Sequence, residues 1–158
     1  MKLTTARLVL RDPSPADAVA LAAYQDDPRY LEHYPEPPDS DAIIATACRW
    51  AREAPRVNFQ FIVTCDGAVI GCAGVRRAGH APGAADLGIE LAPAQWGAGF
   101  AREALAALIE FARIELGVDR LLAETTATNT RAHRLMQRLG FRRVPTTGPE
   151  APFELALA

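Results

Sequence analysis

The sequence predicts an α/β (α+β) fold with its elements in the order β-αα-βββ-α-β-α-ββ. Two observations point there. Residues 59–64 and 69–75 flank Asp66-Gly67, the strongest short-range hairpin signal in the chain. Phe100, Ala101, Ala104, Leu105, Leu108, Phe111, Ala112 and Leu116 form an apolar stripe at helical spacing, with Arg102, Glu103, Glu110 and Arg113 off it. The 158 residues suit one domain spanning 1–158, long enough to bury a full core without metals or disulfides.

The elements follow in order. Leu3 to Arg11 alternates, with Leu8 and Leu10 against Arg7 and Arg11, and reads as a first strand. Ser14-Pro15-Ala16-Asp17 opens a helix, with Ser14 as N-cap and Pro15 at the first helical position, running to about Gln25. Pro28, Pro35, Pro37 and Pro38 break regular structure between Asp26 and Asp41. A second helix follows from about Asp41 to Glu53, with Ile43, Ile44, Ala47 and Trp50 near one face. After the hairpin, the Gly-, Ala- and Pro-rich run Arg76 to Asp86 is a loop into the strand Leu87–Ala92, and the long helix ends at Gly117. The strand Arg120–Thr126 leads through Asn129 to a helix with Ala132, Leu135, Met136 and Leu139 on one face, ended by Gly140. Phe141 and Phe153 begin two last short strands.

Composition excludes several classes. A net charge of −2 argues against a non-specific binder of nucleic acid or of anionic membrane. Three cysteines with no Cys-x-x-Cys pair indicate neither a disulfide framework nor a zinc site, and three histidines show no ligand spacing, so no metal is expected. A reducing cytoplasm fits, and the N-terminus lacks the apolar run of a signal peptide. Sixteen of the 17 basic residues are Arg and Ala is abundant, a bias that points to GC-rich coding and a bacterial source.

The segment from Leu87 to Ala104 is the most informative. A strand delivers the chain into Gly97 and Gly99, and a long helix begins there. Glycines let the backbone approach an anion, and the free N–H groups and positive dipole end of the first helical turn attract phosphate. A dinucleotide-binding turn fails because the third glycine position is Arg102, and a P-loop fails because no Gly-Lys-Ser/Thr is present.

Trp96-Gly97-Ala98-Gly99-Phe100-Ala101 with Glu103-Ala104 resembles the acetyl-CoA pyrophosphate loop of the GNAT N-acetyltransferases, in the branch typified by the ribosomal-protein N-terminal acetyltransferases. Three more stretches match in order: Thr5-Ala6-Arg7-Leu8-Val9-Leu10-Arg11, Ile70-Gly71 after Asp66-Gly67, and Asn129 through Gly140-Phe141. The resemblance implies a mixed seven-stranded sheet whose central strands, here Leu87–Ala92 and Arg120–Thr126, splay around the pantetheine. It implies acetyl-CoA as acyl donor. Leu91 and Ala92 would lie beside the thioester. Trp96, Gly97, Ala98, Gly99, Phe100, Ala101 and Arg102 would surround the pyrophosphate, and Asn129, Ala132 and Arg134 would line the cofactor from the last long helix.

Acetyl transfer to an amine needs a base, because an alkylammonium is mostly protonated at neutral pH. Glu90 alternates with Ile89 and Leu91 and lies seven residues before Gly97; it is the candidate base, and also fits a surface strand residue paired with an Arg. The Ser and Tyr of related motifs are Ala132 and Met136 here, so a general acid comes from Tyr24, Tyr30, Tyr34 or solvent. Arg131, Arg134 and Arg138 fit a solvated face and also the reach of a 3′-phosphate; Cys48 and Cys72 read as small buried hydrophobes. The resemblance implies that the acceptor, a protein N-terminus, a small amine, an amino acid or an aminoglycoside, is set by Tyr24–Glu53 and Val144–Phe153, where Glu32, Glu36, Asp39 and Asp41 fit a cationic acceptor and equally a solvated loop. A homodimer is allowed, and a non-catalytic acyl-CoA sensor is the alternative function.

Overall fold

The computed structural model describes residues 1–158. The chain forms β1 (Lys2–Thr4), β2 (Leu8–Arg11), α1 (Asp17–Gln25), α2 (Pro28–Leu31), α3 (Ser40–Ala51), β3 (Asn58–Cys65), β4 (Ala68–Arg76), β5 (Ala84–Leu91), α4 (Phe100–Ile114), β6 (Arg120–Thr126), α5 (Thr130–Arg138), β7 (Arg142–Arg143) and β8 (Glu150–Ala156). One mixed sheet runs in the order β1-β2-β3-β4-β5-β6-β8-β7.

The class is the expected one, with eight strands rather than seven. The alternating run from Leu3 to Arg11 is two strands, because Lys2 pairs with Arg11, Leu3 with Leu10 and Thr4 with Val9. Thr5 closes the turn between them: its hydroxyl accepts from the Leu8 N–H at 2.9 Å and its own N–H donates to the Leu8 carbonyl. The proline-rich stretch also contains a helix. Asp27 accepts from the Arg29 N–H at 2.9 Å and Pro28 occupies the first position, so this proline starts α2 instead of breaking structure. Ser14 does not cap α1. The helix begins at Asp17, whose carboxylate accepts from the Ser14 N–H at 2.7 Å and is held by Arg11. Phe141 is buried just before β7, and Phe153 sits in the middle of β8.

The central hairpin forms as expected. Asp66 and Gly67 both have positive φ, 49° and 80°, the pairing whose twist matches the strands it joins. β5 and β6 are the one parallel neighbour pair, and their register is short: Ala84 with Arg120, Ala85 with Leu121, Asp86 with Leu122. Beyond Leu87, β5 stays paired only with β4, while β6 stays paired with β8 through Thr126 and Glu150. The two strands therefore splay, as the resemblance implies.

Period-2 alternation divides the sheet's side chains between two faces. One face packs on α4 and α5 through a core cluster of 23 buried residues that includes Leu87, Leu91, Leu105, Leu108 and Phe111. The other carries α1 and α3 over a cluster of six: Ala18, Leu21, Ile44, Cys48, Ile62 and Cys72.

Candidate active site

Glu90 stands on β5 opposite Cys72 on β4, on the sparsely packed face and alongside the splay. Tyr24 from α1 donates to its Oε1 at 2.7 Å, and Tyr30 from α2 donates to its Oε2 at 2.8 Å. Burial first, and then the Glu90 carboxylate, push both phenols well above their ordinary range, so they remain donors. Each carboxylate oxygen keeps a further acceptor position for an incoming N–H. Tyr34 stacks on Tyr30 with centroids 4.8 Å apart, and its hydroxyl makes no hydrogen bond within the protein. The Cys72 thiol, buried beside Glu90, is pushed up to about 12 by burial and by that negative charge; it stays protonated and is no nucleophile.

An open cavity of about 610 Å³ lies over Glu90. Ile43, Thr46 and Trp50 of α3 wall one side, Tyr34 another, and Glu124 of β6 borders the splay. Arg76 also lines it, but its guanidinium is occupied: Nε donates to Asp86 at 2.9 Å and Nη1 to Gln60 at 3.0 Å. Glu90 and Glu124 make no ion pair, so the cavity carries unneutralised negative charge. Glu32, Glu36, Asp39 and Asp41 do not line it, and Asp39 instead caps α3 by accepting from the Asp41 and Ala42 N–H groups. Tyr34 and Glu124 continue into a second cavity of about 110 Å³ with His33, Thr125, Thr126 and Asn129. Asn129 Oδ1 accepts from the Ala132 N–H at 3.1 Å as the cap of α5, while its amide nitrogen makes no hydrogen bond within the protein.

The strand end adds backbone donors. The Ala92 N–H donates to the Ile70 carbonyl, toward β4, so alternation turns the N–H and C=O of Leu91 toward the splay. Trp96 Nε1 donates to that Leu91 carbonyl at 3.0 Å, which leaves the Leu91 N–H as the donor facing the gap. Of the two residues expected beside the thioester, Leu91 offers its N–H and Ala92 does not.

Gly97 and Gly99 both have φ of +83°, a left-handed conformation that favours glycine, and Gly99 is the N-cap of α4. None of the consecutive N–H groups from Gly97 through Arg102 has a hydrogen-bond partner within the protein. Exposed donors in series at the positive end of a 15-residue helix are what an anion requires. Phe100 and Ala101 are half-buried, and Arg102 is exposed at the mouth. Sequence reading missed what braces this turn. Arg7 Nη1 donates to the Ala98 carbonyl at 2.9 Å, and Arg7 Nε to Glu103 Oε2 at 2.7 Å. Arg131 lies over the Trp96 ring at 4.8 Å, whereas Arg134 is exposed and unpaired.

A splayed parallel pair, a glycine turn of unpartnered N–H groups beside it and a carboxylate over an open cavity form an arrangement suited to acyl transfer. Residues 7–142 match the family model of the acetyltransferase (GNAT) domain. The chain is 30% identical over 146 residues to an uncharacterized N-acetyltransferase, p20, of Bacillus licheniformis, an alignment covering 89% of this chain and 82% of that one. It superposes on the ribosomal-protein-S5-alanine acetyltransferase of Vibrio fischeri with a TM-score of 0.76 at 16% identity, covering 99% and 96% of the two chains. The microcin C7 self-immunity acetyltransferase MccE, solved with acetyl-CoA and AMP, gives a TM-score of 0.77 at 15% identity over 96% and 93%. The chain belongs to the GNAT acetyltransferase family, and its activity is that of an N-acetyltransferase.

Proposed function

We propose that this chain is one acetyltransferase domain, of the ribosomal-protein acetyltransferase-like branch, that moves an acetyl group from acetyl-CoA to a cationic amine, a small molecule or a protein N-terminus, in the cytoplasm. The observation that carries the donor is the unbroken series of unpartnered N–H groups from Gly97 to Arg102 beside the splay. These donors hold the pyrophosphate, Asn129 offers its free amide nitrogen to the pantetheine arm, and Ala132 gives it room. Acetyl-CoA supplies an activated acetyl thioester when bound. Arg134, exposed on α5, is the reserve contact for the 3′-phosphate.

The acceptor enters over Glu90 and Glu124 as an ammonium, attracted by their unneutralised charge. Glu90 takes its proton, directly or through one water, while Tyr24 and Tyr30 keep the carboxylate aimed at the cavity. The Leu91 N–H meets the negative charge that develops on the carbonyl oxygen during attack. Tyr24 and Tyr30 already donate to Glu90; Tyr34 is the phenol with a free hydroxyl on both cavities, and it is the acid for the leaving sulfur as the C–N bond forms and the C–S bond breaks, recovering a proton from the acylated nitrogen while Glu90 returns its own to solvent.

The test is thiol release from acetyl-CoA with a panel of polyamines, aminoglycosides, amino acids and peptide N-termini. Release with a cationic member supports the reading. Tight CoA binding with no release on any amine overturns it in favour of an acyl-CoA sensor.

A further inference from the structure

The turn between β1 and β2 has no part in the chemistry above, yet it is fastened to the glycine turn from 91 residues away and to the first turn of α4 from 96. The Arg7 N–H donates to Glu103 Oε1 at 2.8 Å, its Nε to Oε2 at 2.7 Å, and Thr5 Oγ1 to Oε1 at 2.5 Å. The same guanidinium donates through Nη1 to the Ala98 carbonyl and lies 4.5 Å over the Phe100 ring. Thr5 first, and then Arg7, hold the Glu103 carboxyl below the usual carboxylate range.

Peptide planarity makes these contacts matter for the anion. In a trans peptide the carbonyl of one residue and the N–H of the next point in opposite directions. Pinning the Ala98 carbonyl onto Arg7 therefore aims the Gly99 N–H away from the hairpin. Two glycines in the left-handed region give this turn wide freedom in the absence of such a brace. Charge is the second consequence. Glu103 lies in the first turn of α4, where an unpaired carboxylate would repel a phosphate, and Arg7 neutralises it.

We propose that Arg7, seated by Thr5 and Glu103, is a positioning residue for the pyrophosphate of acetyl-CoA, orienting the Gly99 N–H and cancelling the charge of Glu103. This rests on the phosphate reading of the glycine turn given under Proposed function. The experiment measures the affinities of the wild type, Arg7→Lys and Arg7→Gln for CoA and for pantetheine, which keeps the thiol arm and lacks the phosphates. It also follows KM and kcat with acetyl-CoA.

The wild type prefers CoA, and Arg7→Gln weakens CoA at least tenfold while pantetheine changes less than twofold, with the acetyl-CoA KM raised and kcat at saturation kept. Arg7→Lys, which keeps the charge and loses the forked geometry, retains most of that loss. Unchanged CoA affinity in both variants, equal losses for CoA and pantetheine, or full rescue by Arg7→Lys would each overturn the positioning role and leave the phosphate turn standing. A wild type that binds CoA no better than pantetheine overturns the phosphate reading and this proposal together.

Discussion

The two faces of the sheet are built on different terms. Under α4 and α5, 23 buried residues interlock, and even the strand that splays sends Leu87 and Leu91 into that cluster. Under α1 and α3 only six do, and a cavity of about 610 Å³ with three carboxylates opens beside them. The glycine turn caps the helix of the dense face, while Glu90 and the open cavity occupy the thin one. On the proposed reading, packing holds the donors in fixed directions, and space and polar side chains remain where a second substrate would enter. The prediction is that stability and turnover separate by face.

The largest effect is expected on the thin face. Glu90→Gln should lower kcat roughly 10²–10⁴-fold and leave acetyl-CoA affinity and melting temperature nearly unchanged. A folded variant with normal kcat would take the base away from Glu90. On the dense face the reverse should hold. Leu105 is fully buried, and Leu105→Ala should cost about 2–5 kcal/mol in chemical denaturation while kcat at moderate temperature stays near wild type. Equal damage to both properties by either variant would break the division between faces.

Gly99→Asp sharpens the boundary between them. At φ +83° a side chain strains the turn, and a Cβ there would stand 3.4 Å from Arg7 Nη2, so the aspartate puts a negative charge on the anion turn and also competes for the guanidinium that braces it. Acetyl-CoA affinity should fall at least tenfold, about 1.4 kcal/mol, by titration calorimetry; an unaltered affinity in a folded variant would remove the phosphate assignment.

The smallest effect concerns the root of α1. The hydrogen bond from Arg11 first, and then those from Ser14, hold the Asp17 carboxyl below its ordinary 3.8. A depressed folded value stabilises the fold above the unfolded one, and that contribution is lost as pH falls through the folded value. Asp17→Asn should therefore cost about 1 kcal/mol at pH 7 and make stability less steep below about pH 4. Parallel acid-unfolding curves for variant and wild type would contradict this.

How much of this the sequence discloses depends on distance along the chain. The Asp66-Gly67 hairpin, the stripe of α4 and the outward turn of Glu90 are local signals, and each is legible. α2 has a local signal too, since Asp27-Pro28 is a cap followed by a helix-starting proline, but Pro35, Pro37 and Pro38 just beyond it point to irregular structure. The break between β1 and β2 is fainter, because no Gly, Pro or Asn marks the turn and its one trace is that Leu3 falls out of phase with Leu8 and Leu10; Thr5 makes the turn, held by Glu103 from 98 residues along the chain. The phenols on Glu90 come from 60 and 66 residues away, a separation no pattern reports.

That last arrangement divides two tasks between different helices. The phenols that grip Glu90 come from α1 and α2, whereas the wall of the cavity over it comes from Ile43, Thr46 and Trp50 of α3, which make no hydrogen bond to that carboxylate. On the proposed mechanism, an exchange of α3 for that of a relative changes the space an incoming amine meets and leaves the carboxylate's partners in place. An exchange of α1 and α2 does the reverse, so substrate range and proton handling can be inherited separately in this scaffold.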